Sequence, residues 1–421
     1  MAVLFLFCEP KTVFDCAGFI CSLQFLMGCN GFGIYGSHFK ISRWRRIYSL
    51  SVAILALFGL FGSLSVLLGA EDVKERLGKA NGLVLSISVL ELVMSTLVFV
   101  ATVISLQICA RRHLGIYLRL AALDNRLISD FGANLNYRKM LRKNIVVLGL
   151  VTLIYTVAIN CAAFQVTVGH RPLFLLFALC YTIVTGGPHF SGYVHMNLAE
   201  MLGIRFRLLQ KLLCPEFLKW RFPQMQVREL RIRQLVSMVQ ELHYLVQEIN
   251  VVYAFSLWTA MAHDLALSTS DLYLLFGQSV GIGGGGQQDE DDSEQGNRYL
   301  LLGYVALCML PPLYKLLIAP FYCDRTIRDA KRCLRLIEQL DNWFPEKSSM
   351  RPLVESLMSW RMQARIEFTS GLDVLLNRKV IAMFTSVLVN YLLILIQFAM
   401  TQKMGEQIEQ QKVALQEWIG Y

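Results

Sequence analysis

The chain has 421 residues and is 55% hydrophobic and 17% charged, whereas an ordinary soluble domain carries about 25% charged residues. Lys and Arg together number 40 and Asp and Glu number 31, which gives a formal net charge of +9. This composition excludes a disordered chain, disfavours a soluble enzyme, and predicts an all-α protein embedded in a membrane.

Seven stretches are long and apolar enough to cross a bilayer, which takes roughly 20 residues of helix. The fifth is the weakest, because it contains His263 and Asp264 beside several hydroxyl side chains. The alternative for this stretch is a buried helix of a soluble core. In chain order, the predicted spans are residues 49–69, 82–109, 145–165, 172–196, 251–276, 299–320 and 380–401.

The distribution of Lys and Arg predicts the orientation of these spans. Of the 40 cations, 32 lie before span one or after spans two, four and six, 7 lie in the alternate segments or the tail, and Lys315 lies inside span six. Because short loops rich in Lys and Arg stay in the cytoplasm, the N-terminus is predicted to be cytoplasmic. Seven spans then place the C-terminus outside the cell, which is the reverse of a G-protein-coupled receptor.

The segments between and beyond the spans predict five regions. Residues 1–48 form a cytoplasmic segment, with a helix on the membrane surface or packed on the bundle, and residues 49–320 hold six spans with a ligand pocket in their outer half. Residues 197–250 and 321–379 show helical periodicity and are expected to pack as a cytoplasmic anchor; the alternative is separate helices on the lipid surface. A second anchor helix is expected from Pro352 to the last span. Residues 380–401 form the seventh span, and 402–421 form an extracellular tail with a short amphipathic helix.

Motifs for enzyme chemistry are absent from the sequence. There is no GxxxxGK[ST] phosphate loop, no dinucleotide fingerprint and no zinc-like Cys/His spacing. His189 and His195 lie six residues apart, which favours two satisfied buried histidines over a metal site. We therefore expect no enzyme, no cofactor and no metal, and we interpret the cations as a topology signal rather than a nucleic-acid surface.

Polar and aromatic residues in the middle and outer parts of spans three to six predict a small-molecule pocket. Polar groups are costly in hydrocarbon and tend to face a cavity, and aromatic walls suit a small ligand. The alternative is an interfacial aromatic belt with ordinary helix contacts. The candidate ligand-binding residues are Asn160, Phe164, Gln165, Phe177, Tyr181, Trp258, His263, Asp264 and Tyr304.

The seventh span ends with a recognisable motif. Tyr391 is followed by five apolar residues and then by Gln397 and Phe398, with Asn390 before it. This pattern resembles the C-terminal motif of the insect gustatory receptors, in which Thr usually stands at the position of Asn390. The chain length, the short outer loops and the predicted cytoplasmic N-terminus are similar to that family, which is related to the insect odorant receptors.

The resemblance implies a tetrameric ligand-gated cation channel with the seventh helix of each subunit lining one pore. It places Gln397 on the pore and Ile394 as a hydrophobic constriction, and it makes Tyr391 pack or hydrogen-bond near the pore. Independently, Ile394, Gln397 and Thr401 are spaced three and four apart and share one helix face. The alternative for Gln397 is an interhelical hydrogen bond away from any pore.

Together these observations predict a gustatory receptor subunit that forms a non-selective cation channel opened by a small-molecule tastant, with a bitter or aversive compound as the first guess. The expected partners are the tastant, membrane lipid and other subunits in a homotetramer or heterotetramer. The expected location is the plasma membrane of gustatory neuron dendrites. A G-protein-coupled-type chemoreceptor and an accessory subunit of a heteromeric receptor remain as alternatives. A transporter is disfavoured because internal repeats are lacking.

Overall fold

A computed structural model describes residues 10–35, 38–69, 82–150, 171–279, 292–341, 351–363, 366–371 and 374–419. Within these ranges the chain is almost wholly helical, with two short antiparallel strand pairs. The strand pairs are β1 (Phe32–Tyr35) with β2 (His38–Ile41), and β3 (Thr369–Ser370) with β4 (Val374–Leu375). The helices are α1 (Val13–Leu26), α2 (Arg43–Gly69), α3 (Gly82–Ile108), α4 (Ala110–Phe131), α5 (137–150), α6 (Arg171–Leu212), α7 (Pro215–Arg221), α8 (Met225–Ser279), α9 (Asp292–Asp341), α10 (Arg351–Gln363) and α11 (Arg378–Ile419).

Helix α1 begins at a capping box. The Thr12 hydroxyl accepts a hydrogen bond from the Asp15 backbone N–H, and the Asp15 carboxylate accepts one from the Thr12 N–H. The helix packs against α4 and α6, and Cys16 is fully buried there. After the helix, Gly28 adopts a positive φ of 74°, and a Cβ at this position would lie 2.8 Å from the Ser49 carbonyl oxygen. The N-terminal helix is therefore packed on the bundle, one of the two predicted arrangements.

Four described segments are long and apolar enough to cross a membrane: Arg43–Val66, Val89–Ile108, Val305–Leu340 and Arg378–Phe398. They match predicted spans one, two, six and seven. Predicted spans four and five lie in α6 and α8, where buried polar side chains such as His189 and Asp264 interrupt the apolar run. Most of predicted span three lies outside the described residues.

The centre of the structure is formed by α6, α8 and α9, which pack together, with α3 against α8 and α2 against α6. Helix α8 has 55 residues. At 1.5 Å per residue it is about 80 Å long, more than twice the roughly 30 Å hydrocarbon core. Helices α6 and α9, with 42 and 50 residues, are also longer than this core, so all three are expected to continue beyond the membrane. We name the expected extensions the anchor bundle: residues 197–212, 225–250 and 321–341. Because Phe206, Leu242 and Ile337 are buried there, the packed arrangement is confirmed over separate surface helices.

An ion pair with no access to solvent joins the anchor bundle to the N-terminal half of the chain. Arg205 of α6 donates from Nε and Nη2 to the two carboxylate oxygens of Asp124 in α4, at 2.8 and 2.5 Å. Tyr137 donates to the same carboxylate at 2.7 Å, and the Met201 carbonyl accepts from Arg205 Nη1 at 2.7 Å. Such a bidentate geometry lets a buried charge pair persist, because each charged side-chain atom of Arg205 and Asp124 has a hydrogen-bond partner.

The prediction of one helix from Pro352 to the last span is wrong. Helix α10 ends at Gln363, residues 366–368 form no helix or strand, and β3 and β4 precede α11. The Asn250 side chain binds this connection through both of its groups, donating to the Glu367 carbonyl at 2.7 Å and accepting from the Thr369 N–H at 3.2 Å. Phe368 between them is fully buried. We name residues 366–371 together with 374–377 the strap, because they tie the start of α11 to α8.

Helix α11 runs without a break from Arg378 to Ile419. Residues 407–419, expected as a short amphipathic helix, are helical, and they form the end of the same helix as the seventh span. Only the first turns of α11 are well covered, where Val380 is buried and Arg378 lies 3.1 Å from Asp324 of α9. Beyond them, most described α11 side chains are exposed in the isolated chain.

Candidate functional site

Two of the predicted pocket residues form an aromatic pair on α6. The rings of Phe177 and Tyr181 stack with centroids 5.9 Å apart and planes 7° apart. The Tyr181 hydroxyl donates to the Glu91 carboxylate of α3 at 2.5 Å. We name Phe177, Tyr181 and Glu91 the aromatic–acid group. It presents a flat apolar surface beside a carboxylate, a combination that suits a small ligand with an aromatic or polar group.

A second group of polar residues surrounds Asp264 of α8 and draws on α3, α6 and α9. Its Oδ2 oxygen lies 2.7 Å from the Lys315 ammonium of α9, and both side chains are almost fully buried. Neighbouring His263 shares a 2.9 Å hydrogen bond with Ser95 of α3. His189 of α6 approaches Asp264 to 4.0 Å. We name these five residues the buried polar group. Within the described ranges, no set of three His, Cys, Asp or Glu side chains has the arrangement of a metal site.

The other predicted pocket residues do not join these two groups within the described part of the chain. Trp258 is on α8, where it is 39% exposed and packs near Gly371 of the strap. Tyr304 lies in α9, but its side chain is outside the described part. Asn160, Phe164 and Gln165 also lie outside the described residues. In the described part of the chain, the residues predicted to form one pocket therefore lie in two separate clusters and at one surface position.

Sequence reasoning missed Glu91 and Lys315. Each is a charged residue inside an otherwise apolar span, and such residues usually face a partner because an unpaired charge in hydrocarbon is costly. That signal was present in the sequence. Pairing Glu91 with Tyr181, and Lys315 with Asp264, required the packing of α3 on α6 and of α9 on α8, which the sequence alone does not give.

Buried histidines lie at the membrane end of the anchor bundle and within it. His113 of α4 shares a 2.8 Å hydrogen bond with Tyr253, and burial lowers the pKa of His113 to about 3. Burial also lowers the pKa of His243 to about 3. His195 lies between the rings of Tyr253 and Phe368, and neither of its ring nitrogens has a hydrogen-bond partner among the described residues. The prediction that His189 and His195 are buried is confirmed. The prediction that both have hydrogen-bond partners does not hold for His195 among the described residues.

The predicted pore residues occupy one side of α11. Ile394, Gln397 and Thr401 are exposed, and the Thr401 hydroxyl donates to the Gln397 carbonyl at 2.8 Å. Tyr391 and Phe398 are 56% and 70% exposed on the adjoining stripe, and Asn390 is also exposed. Between Leu388 and Thr401, the half-buried residues lie on the opposite side of the helix: Leu388, Leu392, Leu395 and Ile396. The stripe that carries Gln397 therefore points away from α8 and α9.

Comparisons with known proteins agree with this architecture. A family model described as 7tm chemosensory receptor matches residues 16–402. The chain is 78% identical over 421 residues, the whole of both proteins, to "Putative gustatory receptor 57a" of Drosophila melanogaster. It is 24% identical over 367 residues to "Putative gustatory receptor 47b" of the same species, covering 86% of this chain and 84% of that protein.

Solved structures show the same fold. The olfactory receptor OR5 of the insect Machilis hrabei, determined with eugenol, aligns with a TM-score of 0.59 at 13% identity, covering 90% of this chain and 97% of that chain. A second structure of the same receptor aligns with a TM-score of 0.54 at 11% identity, over 90% and 96% of the two chains. The prediction of an all-α, seven-span membrane protein is thereby confirmed, and the chain is a receptor rather than an enzyme. The chain belongs to the seven-transmembrane chemosensory receptors, and within them to the insect gustatory receptors.

Proposed function

We propose that this chain is a subunit of a ligand-gated, non-selective cation channel in which α11 lines the pore. The observation that carries the proposal is the exposure of the stripe formed by Ile394, Gln397 and Thr401, on the side of α11 that faces away from its own bundle. The stripe combines an apolar side chain with two polar ones, which is unfavourable against lipid tails and suitable for a pore wall.

Rotational symmetry explains how this stripe is covered. In a tetramer, four copies of α11 around one axis would turn four Gln397 side chains toward a shared aqueous path. Four Ile394 side chains one turn away would form an apolar ring that closes the pore by excluding water. Tyr391 and Phe398, exposed on the adjoining stripe, would then pack against the α11 of a neighbouring subunit. The same geometry serves a homotetramer or a heterotetramer with related subunits.

The tastant pocket is proposed to be built around the aromatic–acid group, and Asn160, Phe164 and Gln165, which precede α6 in the sequence, remain proposed members of it. His263, Asp264, Trp258 and Tyr304 remain proposed ligand-binding residues of the same receptor. The stacked rings would hold an apolar ligand body, and the Tyr181 hydroxyl or Glu91 would hydrogen-bond a polar group. A bitter or aversive compound fits this apolar site better than a strongly hydrated sugar.

The charge distribution supports a plasma-membrane topology with the N-terminus inside the cell and the tail outside. In this orientation the anchor bundle is cytoplasmic, and the aromatic–acid group lies toward the outer surface, where a tastant arrives. The proposed location is the dendrite of a gustatory neuron. An epitope added after the last residue should be stained on intact cells, and one at the N-terminus only after permeabilisation. The opposite staining pattern would support a G-protein-coupled-type receptor.

The channel proposal is tested by recording current during a screen of small tastants, with the wild type and Gln397→Ala side by side. Because the Gln397 amide is expected to meet permeating ions, the variant should show altered conductance or selectivity at unchanged surface expression. Leu392→Ala, on the half-buried side of α11, is the matched control and should conduct as the wild type does. Unchanged permeation in Gln397→Ala would remove the pore assignment. Absence of current, even with co-expressed partner receptors, would remove the channel assignment.

A further inference from the structure

We propose that the end of α11 beyond the predicted seventh span, residues 402–419, forms a parallel coiled coil with the same segment of the other subunits. We name this segment the outer tail. The coiled coil holds the outer ends of the four α11 helices together in the closed channel. The inference rests on the proposed tetramer with α11 at its centre, and it adds an interface that a pore lined by Gln397 does not by itself need.

The outer tail leaves the predicted membrane region as a straight continuation of the seventh span. Helix α11 runs unbroken from Arg378 to Ile419, and the predicted span ends at Thr401. At 1.5 Å per residue, the outer tail extends the helix by about 27 Å. An amphipathic helix that binds a lipid surface lies in the plane of that surface, which an unbroken continuation of a membrane span does not do. The lipid surface is therefore not what covers the outer tail.

A heptad pattern runs along one side of α11, from the predicted pore into the outer tail. Its positions alternate spacings of four and three residues, which is the repeat of a coiled-coil seam. Because this repeat averages 3.5 residues, it predicts helices that pack together along a left-handed supercoil. We name these positions the seam, and all of their side chains are exposed in the subunit: Asn390, Ile394, Gln397, Thr401, Met404, Ile408, Gln411 and Leu415.

The large apolar side chains described in the outer tail all lie on the seam. Met404, Ile408 and Leu415 are 60%, 51% and 59% exposed in the isolated subunit. Gln407 and Lys412, which lie off the seam and are also exposed, are polar. An apolar stripe is unfavourable in water, and a helix as short as the outer tail is only marginally stable there without packing. The stripe therefore needs a partner from outside the subunit.

Rotational symmetry identifies this partner as the same segment of another copy. In the proposed tetramer, four α11 helices surround one axis and turn Gln397 toward it. The seam continues from Gln397 at coiled-coil spacing, so it keeps facing that axis beyond the membrane. The spans already hold the four outer tails near one another, and this high effective concentration favours association of even a short seam. Four Gln411 side chains would form one polar layer, a device that fixes the register of coiled coils.

A closed seam would also narrow the outer mouth of the proposed pore. Met404 and Ile408 would form apolar layers outside Gln397, and apolar constrictions exclude water and cations. The outer tails therefore have to separate when the channel opens. Weakening the seam is expected to favour the open channel, because the closed state loses packing that the open state lacks.

Cross-linking of cysteine variants of the full chain in isolated membranes tests the interface. Ile408→Cys and Leu415→Cys place a thiol on the seam, and Glu406→Cys places one on the opposite side of the helix. With a short bismaleimide, we expect cross-linked dimers from both seam variants and only the wild-type background from Glu406→Cys. Equal cross-linking on the two sides would overturn the proposal. Dimers from Gln397→Cys without any from the seam variants would overturn the coiled coil alone, and the proposed pore would stand.

A pair of lysines on the seam tests its effect on opening. Ile408→Lys combined with Leu415→Lys should separate the outer tails, because like charges would face one another around the axis. Gln410→Lys combined with Gln416→Lys is the matched control, since it adds the same charges away from the seam. The current without tastant should rise about tenfold over the control at equal surface expression, which corresponds to about 1.4 kcal/mol of lost packing. Equal currents in the two variants would contradict a closing role for the outer tail.

Discussion

Polar side chains are buried in the bundle formed by α6, α8 and α9, whereas those near the middle of helix α11 are exposed. In the bundle, the cations Arg205 and Lys315 are buried and paired within the subunit, with Asp124 and Asp264. On α11, Asn390 and Gln397 are exposed on the side facing away from the bundle. The charged residues of the bundle find their partners within a single chain. Helix α11 instead presents a surface that is unfavourable against lipid.

This difference separates two kinds of mutational effect. Changes in the bundle should lower the stability of each subunit, because a buried partner loses its pair. Changes on the exposed stripe of α11 should leave the subunit folded and should alter assembly or permeation. The experiments below test that separation, from the largest expected effect to the smallest.

Arg205→Met should have the largest effect. It leaves the Asp124 carboxylate buried with Tyr137 as its one remaining side-chain donor among the described residues, which should cost about 3–5 kcal/mol of unfolding free energy. Thermal unfolding of the detergent-solubilised protein and the amount at the cell surface would measure this loss. Arg207→Met, which breaks a partly exposed pair with Asp329, should cost about 1 kcal/mol or less. An equal loss of unfolding free energy in the two variants would mean that burial does not add to the contribution of the ion pair to stability.

Acid should destabilise the bundle through its buried histidines. The pKa values of His113 and His243 are lowered by burial to about 3, whereas a histidine in the unfolded chain titrates near 6.5. Below about pH 6.5 the unfolded state binds protons that the folded state does not. Each of the two histidines should therefore lower the free energy of unfolding by about 1.4 kcal/mol for each pH unit of acidification.

Melting between pH 7 and pH 5 would measure this slope. His243→Phe should make it shallower, and Gln397→Ala should leave it unchanged, because α11 contains no histidine. An identical slope in wild type and His243→Phe would show that this ring is not held neutral by the fold.

Tyr181→Phe should weaken the response to a tastant without unfolding the subunit. It removes the hydrogen bond from the Tyr181 hydroxyl to Glu91 but keeps the stacked ring. The expected rise in half-maximal tastant concentration is about tenfold, which corresponds to about 1.4 kcal/mol. Tyr48→Phe, at an exposed position of α2, is the control and should respond as the wild type does. An unchanged response in Tyr181→Phe would place the tastant elsewhere.

Asn250→Ala should loosen the strap by a smaller amount. The Thr369 N–H loses its acceptor and the Glu367 carbonyl loses its donor, each worth about 1 kcal/mol. Hydrogen exchange of the Thr369 amide should become about fivefold faster, since 1 kcal/mol changes an opening equilibrium by that factor. Asn136→Ala, which removes an exposed cap on Lys139, should leave strap exchange unchanged. If strap exchange does not change in Asn250→Ala, then Asn250 is not what holds the connection to α8.

The sequence predicted those features that depend on the pattern of residues along one helix. The length and apolarity of the spans, the helical continuation into the anchor, and the shared face of Ile394, Gln397 and Thr401 all follow from spacing along one helix. What it missed depends on contacts distant in sequence. The strap was predicted as helix because its fixation by Asn250, more than a hundred residues earlier, leaves no periodic signal. The division of the predicted pocket into two groups likewise depends on Glu91 and Lys315, which lie on other helices.

The most direct test of the central claim is whether the Gln397 stripe of α11 faces other subunits. Gln397→Cys and Leu388→Cys would be expressed in intact membranes, exposed to mild oxidant and compared with wild type by non-reducing electrophoresis. We predict disulfide-linked dimers for Gln397→Cys, because symmetry brings this position close to its copies, and only the wild-type background for Leu388→Cys, which faces its own bundle. Dimers from Leu388→Cys and none from Gln397→Cys at equal surface expression would contradict the account.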